Sequence, residues 1–159
     1  MAAGGMRFGI TVEGLKPTLK AFNEYGKDAN KELRQAAGGV ADELVGVLAL
    51  AAQTDGPQAA LVATSVRRVS DRVPAIAAGG TKRVRPSTRP KRRVAAGDVF
   101  FGSEFGGGRS PRTRQFPDWT GTVGRWFFPT IRAATPRLIA RYQEVLEELA
   151  DRWDTGGNE

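Results

Sequence analysis

Val99–Arg132, VFFGSEFGGGRSPRTRQFPDWTGTVGRWFFPTIR, is the stretch that decides how this chain is organised. It combines clustered phenylalanines with two glycine clusters, Trp119, Trp126 and a Phe-Phe-Pro. Glycines permit tight turns, and aromatic rings bury large apolar areas. The block is therefore suited to turning the chain and making contacts. It lacks the G-x-S-x-G order of a nucleophile elbow and the spacings of phosphate and dinucleotide loops. Gly102-Ser103-Glu104-Phe105-Gly106 reads as a tight turn anchored by Phe105, in which Glu104 pairs with an arginine or caps a backbone N–H.

Helical patterns flank this block. Downstream, Trp126-Phe127-Phe128-Pro129 leads into a last helix, and Thr135-Pro136 supplies the cap and first-turn chemistry that predicts its start. Leu138, Tyr142, Val145, Leu149 and Trp153 form its apolar stripe, widened by Ile139 and Leu146. Residues 155–159 read as a frayed tail. Upstream, Leu15, Leu19, Phe22, Ala29, Leu33, Ala37, Val40, Leu44 and Leu48 step mostly by three and four, which predicts one long helix ending near Gln53. Asp55-Gly56-Pro57 is its breaker. Gly38-Gly39 costs about 1 kcal/mol per glycine and marks a kink or a close approach by a neighbour.

Between the helices lie short elements. Residues 58–65 predict one or two helical turns. Residues 66–69 and 73–78 predict a hairpin around Ser70-Asp71-Arg72, with Pro74 implying an edge strand or an irregular start. Residues 95–105 are too short for periodicity to separate strand from helix. Met6–Val12 alternates weakly, as a strand or an arm does. The expected class is α+β, with a long N-terminal helix and a C-terminal helix packed on a small antiparallel sheet. The expected divisions are an arm over 1–14, one domain over 15–154, a basic loop over 79–94, a Gly/Arg-rich loop over 106–118 and a tail over 155–159.

Composition narrows the function. The 159 residues suit a single domain. Cysteine and histidine are both absent, which removes disulfides, thiolate nucleophiles, Cys/His zinc sites and imidazole bases. The expectation is a non-enzyme with no catalytic, cofactor-binding or metal-binding residue. No run of about 18 apolar residues stands out as a membrane span. The opening MAAGGMRFGI lacks a signal-peptide layout, so synthesis in a cytoplasm is expected.

The net charge is +7, and Lys82, Arg83, Arg85, Arg89, Lys91, Arg92 and Arg93 crowd into one short run. Such a run neutralises phosphates without reading sequence. It serves equally as a solvated loop or a contact to an acidic subunit, since it carries no aromatics for base stacking. Trp119, Trp126, Phe127 and Phe128 have two readings as well, a docking patch or a seal on the domain's own core. Alternate residues pointing opposite ways would satisfy both.

The motifs F-F-G-S-E-F-G-G at 100–107, Q-F-P-x-W at 115–119 and W-F-F-P-T-I-R at 126–132 precede an amphipathic helix containing Tyr142. Together they resemble a family of tailed-phage proteins. These are the small tail-component, or tail-completion, proteins related to the gene-product-ten protein of a lambdoid phage, in their actinophage form. The resemblance covers about Leu15–Trp153. It implies a virion structural protein at the neck, where head meets a long flexible tail, assembled as a ring of six copies. It also implies neighbouring neck and tail proteins as partners, nonspecific contact with genomic DNA in the channel, and no membrane. Glu104, Phe105, Phe116, Trp119, Trp126, Phe128 and Pro129 carry over as structural or interface positions. A tail terminator or a head-closure ring is the alternative within the same neck. A small basic DNA-binding protein is the alternative of another class.

Overall fold

The computed structural model describes residues 5–9, 15–85, 93–107 and 115–156, and it is an α+β fold. In chain order the elements are β1 (Gly5–Gly9), α1 (Leu15–Glu24), α2 (Lys27–Asp55), α3 (Pro57–Ala63), β2 (Arg67–Val69), β3 (Ala75–Gly79), β4 (Arg83–Val84), β5 (Val94–Ala95), α4 (Ala96–Phe105) and α5 (Phe127–Gly156).

The helix α2 is the spine. Its apolar stripe, with Leu33, Val40, Leu44 and Leu48 buried, packs against α5, α3, β2 and β3. By length and mean hydropathy α2 also meets the criterion for a membrane span. Three of its four leucines, Leu33, Leu44 and Leu48, are buried in the core. The long helix expected from Leu15 is two helices. Gly26 has φ 95°, a left-handed conformation that suits glycine and breaks the ladder after Tyr25. The Tyr25 hydroxyl donates to Asp154 Oδ1 at 2.6 Å, and its ring lies 6.3 Å from that of Trp153. The turn between α1 and α2 is thereby fastened to the far end of α5.

The main sheet is antiparallel in the order β1-β3-β2. β1 pairs Phe8 with Ile76 of β3, and β2 pairs Arg68 with the same residue. The predicted hairpin is present. Pro74 stands just before β3, so its missing N–H interrupts no ladder, and β3 is central instead of an edge. Residues 5–9, expected as an arm or strand, are the third strand.

Two further expectations are corrected, for the basic loop and for the start of α5. Residues 96–105, left open between strand and helix by the sequence, form a helix, α4, whose Val99 and Phe100 are buried against the core. Asp98 accepts from the Ala95 N–H at 3.3 Å, which steadies its start. The basic loop is gathered at its base by a second, two-stranded sheet, Arg83 opposite Ala95 and Val84 opposite Val94. α5 begins at Phe127, well before Thr135-Pro136, and runs on to Gly156. Pro136 lies inside it, and Pro129 occupies the first turn, where a proline costs little.

Candidate functional site

The aromatic block closes the molecule around one buried carboxylate. Glu104, near the end of α4, is fully buried. Its Oε2 accepts from the backbone N–H groups of Trp126 at 3.1 Å and Phe127 at 2.7 Å, and its Oε1 accepts from that of Phe128 at 2.9 Å. Those are orphan donors at the start of α5, and a negative group there also meets the positive end of the helix dipole. A residue more than twenty positions upstream thus caps the longest helix. This resolves the two sequence readings of Glu104: it caps N–H groups, and among the described residues it pairs with no arginine. It also explains why α5 starts early, because the cap is supplied across space.

The glycines around Glu104 serve close approaches. A Cβ on Gly102 would sit 2.7 Å from the Phe116 ring, and one on Gly106 would sit 2.3 Å from the Asp118 carbonyl oxygen. The segment 115–120 lies directly on these glycines, with Gly107 N–H donating to Pro117 O at 2.9 Å and Thr120 N–H to Phe105 O at 3.0 Å. Buried Ser103 donates to Phe100 O at 2.8 Å and accepts from the Trp126 indole at 3.4 Å. Its hydroxyl is thereby committed to packing.

The aromatic residues divide between the two readings. Trp126 and Phe127 are buried against Phe100, with ring centroids 6.2 and 5.0 Å away. They do not alternate in and out, because they open a helix and not a strand. Phe105, Phe116, Phe128 and Pro129 are half-buried. Phe101 and Trp119 are 47% and 62% exposed. Phe105 stacks between them, 6.4 Å from Phe101 and 6.3 Å from Trp119, and lies 5.6 Å from Phe128. An aromatic cluster therefore stands at the surface on a rigid, capped base.

A second apolar surface lies between α2 and α5. It is an open groove of about 550 Å³ lined by Val47, Leu50, Ala51, Ala133, Ala134 and Leu138, with Glu43 and Arg137 at its rim. Leu50 is 64% exposed there. Thr130 of the groove follows Phe128 of the aromatic cluster by two residues, about 200° around the helix. The two surfaces are on opposite flanks of α5.

Of the basic run, Arg83, Arg85 and Arg93 are exposed at the base of the loop, and Lys82 donates to the Thr64 carbonyl. Arg89, Lys91 and Arg92 lie outside the described residues. A different basic group escaped the sequence reading. Lys27, Lys31, Arg34 and Arg68 meet around a cleft of about 400 Å³. The first three were visible on the polar face of α2, but nothing in the sequence says that a strand more than thirty residues later joins them.

Among the described residues no cluster of acidic side chains could hold a metal ion. The sequence matches no protein-family model, and neither a curated protein nor a solved structure matches it.

Proposed function

We propose that the protein is a non-enzymatic structural subunit of a phage neck, joining head and tail as a member of a closed ring. The observation that carries this reading is the pair of unlike apolar surfaces on opposite flanks of α5. One is a projecting aromatic cluster at Phe101, Phe105 and Trp119, and the other is the groove at Val47 and Leu50. A two-fold dimer needs one self-complementary patch. A head-to-tail ring needs two different patches on each subunit, one for each neighbour. Exposed aromatic and aliphatic side chains of this kind are the residues that anchor protein interfaces. The resemblance of the motifs at 100–107, 115–119 and 126–132 to tail-completion proteins supplies the place of that ring. A terminator or head-closure ring would use the same surfaces at another level of the neck.

Deleting the gene from the phage that carries it tests the reading. DNA-filled heads and finished tails should accumulate unjoined, and electron microscopy of the complete particle should show the chain as a ring at the junction. Normal particles after the deletion, or particles without the chain, would refute it.

A further inference from the structure

We infer that the cleft between α2 and β2 is a binding site for the phosphate backbone of duplex DNA. Lys27, Lys31 and Arg34 follow one another at four and three residues, so they share a face and span about 10 Å of helix. Arg68 comes to them from β2. It crosses α2 over Gly38, where a Cβ would sit 3.2 Å from its Nη1, and its Nη1 donates to Asp42 Oδ2 at 2.8 Å. Gly38 is thus the floor of the cleft, and the cations are its walls. Among the described residues no ion pair engages Lys27, Lys31 or Arg34, and all three are exposed. Asp42 is already spent on Arg68, and Glu32 turns the other way, toward Arg152 and the Trp153 indole.

The lining identifies the ligand class. It consists of Lys27, Lys31, Arg34, Gln35, Gly38, Arg68 and Ser70, without one apolar or aromatic side chain. Protein interfaces have a largely apolar core, and sites for unpaired bases offer rings for stacking. Lysine, arginine, serine and glutamine are the side chains that grip phosphates and sugars. A 10 Å row of cations matches about three successive phosphates of one strand. The inference deepens the neck reading, on which it rests for the choice of duplex DNA over another polyanion. It moves the contact from the basic loop at 82–93 to the body of the domain.

The test is binding of a short fluorescent duplex of arbitrary sequence to the purified full chain, read by anisotropy across salt from about 50 to 200 mM. The variant Lys27→Gln/Lys31→Gln/Arg34→Gln is compared with Arg83→Gln/Arg85→Gln/Arg93→Gln, which loses the same charge from the loop. The cleft variant should weaken binding at least about tenfold and flatten the slope of log affinity against log salt by about 2 to 3, and the loop variant much less. Lys31→Gln alone should flatten it by about 1, which keeps the test usable if the triple variant misfolds. An unchanged cleft variant would overturn the inference. Equal losses in both triple variants would do so too, since affinity would then follow net charge. Poly-glutamate or anionic lipid vesicles that compete as well as DNA at equal charge would replace it with an acidic protein or a membrane. Particle assembly reports separately on the neck. A cleft variant that keeps its DNA affinity while heads and tails still join sinks the cleft alone, and a chain that binds DNA through the cleft but is missing from particles sinks the neck reading alone.

Discussion

Glu104 is the residue on which most depends. It is buried, carries the helix start of α5, and is reachable only because Gly124 has no side chain. A Cβ on Gly124 would lie 2.1 Å from Glu104 Oε1, and its φ of 79° already favours glycine. Hydrogen bonds to a charged group contribute about 1.5–3 kcal/mol each, and removing the acceptor strands buried donors. Glu104→Gln should therefore lower the unfolding free energy by about 2 kcal/mol, and Gly124→Ala by a similar amount, in urea titrations. A loss within about half a kcal/mol for either would show that the cap is dispensable.

Tyr142 is the second such residue. It is fully buried and its hydroxyl donates to the Arg72 carbonyl. Burial, followed by the negative charge of Asp71, pushes its pKa up to about 12 from 10.0. The folded state thus holds the phenolic proton more tightly than the unfolded chain. The stabilisation is fully present below pH 10 and is lost progressively as the pH rises from about 10 to 12, by about 3 kcal/mol in all. Tyr142→Phe should remove most of that alkaline decline, leaving a smaller part to Tyr25, whose bond to Asp154 also raises its pKa. A decline that persists in full in the variant would assign it to other groups.

At the scale of elements, α5 carries a built-in cost. Pro136 sits in its interior, removing one ladder N–H and crowding the preceding turn. Thr135 donates to the Ile131 carbonyl at 2.7 Å beside it. Pro136→Ala should stabilise the protein by about 1–3 kcal/mol, read as a higher Tm, and an unchanged or lower Tm would mean that a bend at Pro136 is needed for packing on α2. The sequence pattern pointed to Thr135-Pro136 as a helix start because local cap chemistry is what a sequence displays. The working cap comes from α4, and no local pattern reveals it. α2 was legible for the opposite reason, since its period of three and four is imposed by its own buried face.

At the scale of the whole molecule, the two apolar surfaces make a prediction that one surface would not. Trp119→Asp and Leu50→Asp should each fold normally and each block ring formation. Mixed together they still offer one intact groove and one intact aromatic cluster, so they should form a heterodimer and nothing larger by analytical ultracentrifugation. A mixture that stays monomeric would separate these surfaces from subunit contact. Both residues were visible as apolar letters, and Trp119 was already a candidate interface position. Leu50 lay outside the stripe read as core, and the structure leaves it 64% exposed on the groove between α2 and α5.

The sequence by itself determined the fold class, the hairpin at 66–78, the amphipathic helices and the absence of histidine and cysteine chemistry. These follow from periodicity, turn residues and composition, each a local property of the chain. Only the tertiary structure decided which atoms Glu104 satisfies, why glycines stand at 102, 106 and 124, and that Arg68 joins Lys27, Lys31 and Arg34. Those are contacts between residues about a dozen or more positions apart. Their physical basis is close packing and the pairing of buried polar groups, which depend on distance in space and leave no period in the sequence.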